Sequence, residues 1–167
     1  SSLIKKVYIP KYIFPLEKCM FGFINFLFSM IAVAIMYIIF GYPVHWTILL
    51  FPIPVFYTLV FSIGLGMILS AMSVFFRDIV HLYSVLLTAW NYFTPIVYPY
   101  DILNDKIKAI MHLNPMFHYV KYFRDVLMYN TVPNLTVNLI CAAIAFGTLF
   151  IGLLFFKRKQ DKFILYI

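Results

Sequence analysis

Long stretches without a charged residue constrain this chain more than any other feature. Residues 19–40 contain no Asp, Glu, Lys or Arg, and neither do residues 41–76. A helix needs about 20 apolar residues to cross the ~30 Å hydrocarbon core of a bilayer. Two further stretches follow the same rule later in the chain. The four transmembrane helices that we predict are residues 19–40, 48–72, 79–98 and 135–156.

The composition supports a membrane protein. Of the 167 residues, 64% are hydrophobic and only 11% are charged, whereas soluble domains carry about 25% charged residues. A chain of this length exposes too much surface to hide so many apolar side chains from water. We therefore predict an all-α integral membrane protein.

Residues 100–130 break the pattern of long spans. The uncharged stretch 109–120 has only twelve residues, and Pro115 interrupts it. Segments of this length suit re-entrant or interfacial elements better than full crossings. We predict two short re-entrant helices here, hinged at Asn114 and Pro115.

The basic residues predict the orientation. Nine of the thirteen Lys and Arg fall on the side of the membrane that holds both chain ends. The positive-inside rule places that side in the cytoplasm, together with the tail 157–167. The nine residues are Lys5, Lys6, Lys11, Lys18, Arg77, Lys157, Arg158, Lys159 and Lys162.

Several function classes are disfavoured by the residues themselves. Cys19 and Cys141 lie far apart in apolar surroundings, which favours neither a disulfide framework nor a thiolate metal site. The basic residues sit at the ends of apolar runs, so anionic lipid explains them better than nucleic acid does. No glycine-rich phosphate loop is present among the six glycines. We expect no cofactor in this chain.

The order of four motifs resembles a known family. They are LIKKVYIPKYIFPL at 3–16, SVFFRDI at 73–79, TPIVYP at 94–99 and LNPMFHYVKYFRDVL at 113–127. In this order and spacing the chain resembles the permease subunit of ABC-2-type exporters of polysaccharide, including O-antigen, capsule and teichoic acid. Permeases of this kind have six crossings, so the resemblance implies that two spans precede this chain and that its four are the last four.

The resemblance also implies partners and site residues. It implies a homodimer in a bacterial plasma membrane, a separate ABC ATPase that binds ATP and Mg²⁺, and a lipid-linked glycan as substrate. Residues 2–15 would form a cytoplasmic coupling segment, and 100–130 an outer gate. The implied ATPase-coupling residues are Lys5, Lys6, Tyr8, Pro10, Phe14, Pro15, Arg77 and Asp78. The implied outer-gate residues are Pro95, Pro99, Asn114, Pro115 and Arg124.

Aromatic residues within the spans offer candidate glycan contacts. The chain has nineteen Phe and thirteen Tyr, and aromatic faces give apolar contact to sugars without needing charge. Rings that face lipid or form interfacial belts explain the same abundance. The mid-span rings that we select as candidate channel contacts are Phe56, Tyr57, Tyr83 and Trp90.

Two other functions remain open from the sequence. An ABC-2 permease for drugs or lipids would share the fold with a different cargo. A membrane transferase acting on a lipid carrier would instead use ionisable residues that converge at the outer face. The residues available for that chemistry are Asp101, Asp105, Asp125, His112 and His118.

Overall fold

The computed structural model describes residues 13–76, 78–96 and 98–159, and these residues form six α-helices and two short 3₁₀ segments. The 3₁₀ segments are Trp46–Leu50 and Tyr100–Ile102, which precede the second and fourth helices. The all-α prediction is confirmed. The helices are α1 (Ile13–Ile39), α2 (Pro52–Phe75), α3 (Ile79–Phe93), α4 (Asp105–Met111), α5 (Pro115–Leu127) and α6 (Leu135–Lys159).

Three helical segments are long and apolar enough to cross a membrane within the described ranges. They are Ile13–Ile39, Trp46–Ser73 and Leu135–Lys159, with mean hydropathies of 2.2, 2.2 and 2.6. The third predicted span corresponds to α3, which has 15 residues and is therefore about 22 Å long. That length is less than the ~30 Å of a bilayer core. A membrane crossing by α3, which would bring the number of spans to four, therefore stays a prediction.

Helix α3 ends before the predicted boundary at residue 98. The helix stops at Phe93, and Thr94 is extended, with φ −88° and ψ 127°. Pro95 follows directly, and the ring of a proline disfavours helical backbone at the residue before it. Residues 94–96 and 98–99 therefore lie outside the helix, between α3 and α4.

The other three predicted spans differ from the helices only at their ends. Helix α1 already includes Ile13, six residues before the predicted start at residue 19. Helix α2 begins at Pro52, since a 3₁₀ turn occupies Trp46–Leu50. Helix α6 runs through Lys159, three residues past the predicted end at residue 156.

Helices α2 and α6 form the most extensive helix pair, and they cross at two glycines. A Cβ added to Gly64 would lie 2.6 Å from the backbone nitrogen of Leu149, and one added to Gly152 would collide with the carbonyl oxygen of Gly64. Small residues let helix backbones approach closely in membranes. Ala71, Cys141 and Ala145 are fully buried along the same two helices.

The main buried cluster joins α2, α5 and α6. In it the ring of Phe61 on α2 lies 5.7 Å from that of Tyr119 on α5, and Tyr119 is fully buried. Helix α5 thus lies in the core although it is too short to span a bilayer. The members of the cluster are Val60, Phe61, Tyr119, Tyr122, Val126, Cys141 and Ala145.

Candidate functional site

Helix α5 begins with two residues that fix its start locally. The side-chain Oδ1 of Asn114 accepts a hydrogen bond from the backbone N–H of Met116 at 3.0 Å, which is the usual action of an N-cap asparagine. Pro115 takes the first helical position, where its missing N–H costs nothing. The predicted gate region therefore contains two short helices, α4 and α5, that meet at Asn114 and Pro115. Their re-entry into the membrane stays a prediction.

Asn114 also joins α5 to the end of α3. The indole N–H of Trp90 donates to Oδ1 of Asn114 at 2.7 Å, and Nδ2 of Asn114 donates to the hydroxyl of Thr94 at 2.9 Å. That hydroxyl in turn donates to the carbonyl oxygen of Trp90 at 2.9 Å. Asn114 is only 5% exposed. Trp90, Thr94 and Asn114 are called the α3–α5 junction below.

Arg124 makes a second attachment between the same parts of the chain. Its guanidinium donates to the carbonyl oxygen of Ile96 at 2.8 Å. The extended segment after α3 is therefore held to α5 at two points, three turns apart along that helix. Of the predicted outer-gate residues, Asn114 and Arg124 bond to the two neighbours of the buried Pro95, which are Thr94 and Ile96. Pro115 follows Asn114 at the start of α5. Pro99 is exposed and begins the 3₁₀ segment Tyr100–Ile102.

The C-terminal end of α5 is held by hydroxyl groups from distant parts of the chain. The hydroxyl of Thr47 donates to the carbonyl oxygen of Val126 at 2.9 Å, and that of Tyr37 donates to the carbonyl oxygen of Leu127 at 2.8 Å. The last carbonyls of a helix have no partner within it, so these hydroxyls satisfy acceptors that would otherwise be buried and unpaired. Helix α5 is thereby fixed at both ends.

The middle of α5 is fixed by a buried tyrosine. The hydroxyl of Tyr119 donates to the carbonyl oxygen of Cys141 on α6 at 3.2 Å. Burial raises the pKa of the Tyr119 phenol above its usual range, because the charged phenolate would lose its hydration. The group stays neutral and acts as a hydrogen-bond donor.

The candidate channel rings fall into two groups. Tyr57 and Trp90 pack against the main cluster and use their polar atoms within the fold, since the Tyr57 hydroxyl donates to Oδ1 of Asn138 at 2.8 Å. Phe56 is 52% exposed, and Tyr83 on α3 is half-buried. The role of these four rings in glycan contact stays a prediction.

The implied ATPase-coupling residues are only partly within the described ranges. Lys5, Lys6, Tyr8, Pro10 and Arg77 lie outside them. Phe14 is 57% exposed, whereas Pro15 is buried in the first turn of α1. Asp78 is exposed and stands directly before α3. These two exposed side chains are available for a partner.

An aromatic and histidine cluster beside the hinge is a feature that sequence reasoning missed. The rings of Tyr100 and His112 each lie 5.1 Å from that of Phe117. Nε2 of His118 lies 2.7 Å from the carbonyl oxygen of His112, and Nζ of Lys108 lies 5.4 Å from the Tyr100 ring centre. The signal in the sequence that could have indicated this cluster was the presence of two aromatic residues, Tyr100 and Phe117, near the two histidines. The two histidines of the transferase hypothesis are therefore engaged in holding α4 against α5.

The carboxyl group of Asp125 is the acidic group of α5. Burial raises its pKa above the ordinary value, and the nearby Lys121 ammonium opposes that rise. Over the described part of the chain, no group of three or more His, Cys, Asp or Glu side chains is placed to hold a metal ion.

Apolar helices long enough to span a bilayer, a close glycine crossing between two of them and a short helix fixed at both ends together define an integral membrane protein. Residues 3–128 match the family model described as ABC-2 type transporter, and the chain belongs to that family. The matched stretch includes the α3–α5 junction and Arg124.

Named relatives extend the match beyond residue 128. The O-antigen export system permease protein RfbA of Myxococcus xanthus is 28% identical over 164 residues, which cover 97% of this chain and 63% of the relative. Two proteins of that name from Klebsiella pneumoniae are 26% identical, over 79% and 98% of this chain and 51% and 63% of the relatives. The chain thus spans between half and two thirds of the length of these relatives.

Proposed function

We propose that this chain belongs to the membrane-spanning permease subunit of an ATP-driven exporter of lipid-linked polysaccharide. The cargo would pass from the cytoplasm to the outer face of a bacterial plasma membrane. The observation that carries the proposal is the match to three proteins named O-antigen export permease, which extends over 79–98% of the chain. The energy would come from a separate ABC ATPase that binds ATP and Mg²⁺, as membership of the ABC-2 type transporter family implies.

A coupling route through α3 follows from the contacts. Asp78 stands at the start of α3 and Trp90 near its end, and a helix transmits displacement along its axis without internal rearrangement. The junction and Arg124 then attach that end to α5. On this proposal, an ATPase that contacts the turn at Asp78 moves α3, and α3 carries α5 with it.

The moving part of the gate would be α5, which is attached to α3. Helix α5 is tied to Trp90, Thr94 and Ile96 at one side and to Thr47 and Tyr37 at the other. The two sets of bonds connect α5 to different parts of the fold. If α3 moves relative to α1 and α2, α5 cannot keep both sets of bonds. It would then either follow α3 or stay with Thr47 and Tyr37, which gives the short helix two alternative positions. The basic residues at the end of α6 support a cytoplasmic position for the opposite end of the molecule.

A polymer too long to be enclosed must be threaded between two copies of the permease. Its path needs many weak contacts, since tight binding would stop movement. Exposed aromatic faces such as Phe56, whose ring lies 6.3 Å from that of Phe146, suit such contacts. The exposed apolar faces of α1 and α3 would meet lipid or the second copy.

The test is ATP hydrolysis by the complete complex. The full-length protein would be co-expressed and purified with the ABC ATPase encoded beside it, reconstituted in vesicles, and given lipid-linked O-antigen, a lipid-linked teichoic acid polymer or an amphipathic drug. Stimulation by a lipid-linked glycan supports the proposal. Stimulation by the drug alone would replace the cargo and favour the ABC-2 permease for drugs or lipids. Failure of any ATPase to co-purify would contradict the proposed partner.

A matched pair of variants tests the coupling route in the same assay. Asn114→Ala removes the junction, whereas Asn104→Ala removes an N-cap asparagine of α4 whose side chain makes no capping bond. We expect both complexes to assemble and only the first to lose glycan stimulation. Equal stimulation of both variants would contradict the route through Asn114.

A further inference from the structure

A groove of about 480 Å³ lies between the end of α3 and the α4–α5 hinge. The proposed coupling route uses the hydrogen bonds of Trp90 and Asn114 in its wall but gives no role to its apolar surface. Positions 86, 89, 90 and 93 recur with the spacing of one helical face, so one side of α3 forms one wall. The residues that line the groove are Leu86, Ala89, Trp90, Phe93, Ile110, Leu113, Asn114 and Pro115.

The lining has little hydrogen-bonding capacity left for an occupant. Among the described residues around the groove, Trp90 and Asn114 carry the polar side chains, and they bond to one another at 2.7 Å. Oδ1 of Asn114 also accepts from Met116, and Nδ2 donates to Thr94. Pro115 has no N–H. An occupant rich in polar groups would leave them unpaired at a cost, whereas a hydrocarbon chain loses nothing.

The apolar walls are open to their surroundings. Leu113 is 82% exposed, Leu86 57% and Ile110 53%. The volume lies within the range of about 300–1,000 Å³ typical of ligand pockets. Shape and chemistry therefore favour an apolar chain as the occupant.

A lysine on the groove side of α4 adds a positive charge at the edge of the groove. Lys106 precedes Ile110 by four residues, so both lie on one side of α4, and Lys106 is exposed. Its neighbour Asp105 is rotated by about 100° around the helix. An apolar groove bordered by a cation is complementary to an acyl chain that carries a negatively charged phosphate.

We propose that this groove binds an acyl chain of an anionic phospholipid, with the lipid phosphate against Lys106. The lipid would pack against Trp90 and Leu113 and so fill the space between α3 and the hinge. This proposal does not depend on the cargo of the transporter, because it concerns bilayer lipid and is tested without glycan.

Trp90 provides a direct reporter. These 167 residues hold two tryptophans, so Trp46→Phe, together with Phe at any tryptophan elsewhere in the full-length protein, leaves Trp90 as the single reporter. The full-length protein with this change would be reconstituted in phosphatidylcholine vesicles with a small fraction of either brominated phosphatidylglycerol or brominated phosphatidylcholine, because bromine on the acyl chain quenches indole emission on contact. We expect the brominated phosphatidylglycerol to quench Trp90 at least about twofold more at equal fraction.

Three variants separate the headgroup from the groove. Lys106→Gln should make the quenching of Trp90 by the two brominated lipids equal, because the cation is lost. Ala89→Leu should have the same effect, because the larger side chain fills the groove. Ala143→Leu, the same change at an exposed position of α6, should retain the preference. Equal quenching by both lipids without any of these changes, or absence of quenching by either, would overturn the proposal. The second result would mean that protein covers the groove.

Discussion

The indole N–H of Trp90 and the side-chain oxygen of Asn114 form a hydrogen bond of 2.7 Å between two helices whose residues are 24 positions apart. The same oxygen caps α5 through Met116. One buried amide therefore both starts α5 and attaches it to α3. This double use makes Asn114 the point at which a movement of α3 would reach the predicted gate.

Replacement of Asn114 by Ala should destabilise the protein by about 2–4 kcal/mol. Loss of an N-cap costs about 0.5–2 kcal/mol, and an unpaired indole N–H adds about 1–3 kcal/mol. Trp90→Phe in the same background removes the unpaired donor, so the double variant should be less destabilised than the sum of the two single changes. Unfolding in mixed micelles, followed by far-ultraviolet circular dichroism, measures this coupling. Additive single effects would show that the bond contributes nothing.

Gly64→Ala and Gly152→Ala should each destabilise the α2–α6 pair by about 1–3 kcal/mol. The added carbons meet backbone atoms of the opposite helix, which cannot rotate away as a flexible side chain can. Gly147→Ala on α6 is the control, because its Cβ would meet nothing within 4 Å. That change should stabilise the helix by about 0.5–1 kcal/mol. The same unfolding assay would contradict the close crossing if all three variants behaved alike.

Thr47→Val should cost about 1–3 kcal/mol. Thr47 is fully buried, and the valine keeps its shape while removing the donor to the carbonyl oxygen of Val126. Thr136→Val is a matched change at an exposed position of α6 and should alter the free energy of unfolding by less than about 0.5 kcal/mol. Hydrogen exchange should also show faster exchange at the end of α5 in the first variant. Unchanged exchange there would mean that other contacts hold this end.

Asp125→Asn should raise the melting temperature at neutral pH. Burial raises the pKa of Asp125, so the native state binds a proton more readily than the unfolded state. Stability from this group is therefore present below the ordinary carboxyl value of about 3.9 and is lost as the pH rises through the native value. The increase in melting temperature caused by Asp125→Asn should be larger at about pH 7 than at about pH 4.

Lys121→Gln provides the complementary test of the same pKa. The lysine lowers the pKa of Asp125 against the effect of burial, so its removal should raise that pKa further. The melting temperature of this variant should fall more steeply than that of the unchanged protein between those two pH values. A profile identical to that of the unchanged protein would show that Lys121 does not act on Asp125.

Local rules account for much of what could be predicted from the sequence. Charge-free runs of about 20 residues predict helices in a membrane because unpaired backbone groups are costly in lipid, and α1, α2 and α6 confirm it. Pro115 within a short uncharged stretch predicted the hinge at which α5 begins. Pro95 carried the signal for the end of α3, although the apolar run continued to residue 98. Each of these results depends on near neighbours along the chain.

The tertiary structure alone decided which apolar faces meet. In a membrane span, lipid-facing and protein-facing positions are both apolar, so periodicity does not mark the inner face. Gly64 and Gly152, or Tyr37 and Leu127 across 90 positions, become partners only when the helices pack. The sequence by itself determined a helical membrane protein with a hinge at Asn114, because charge, length and capping are local properties. Packing decided that the hinge asparagine would hold Trp90 and Thr94, because that contact depends on helix positions set by the whole fold.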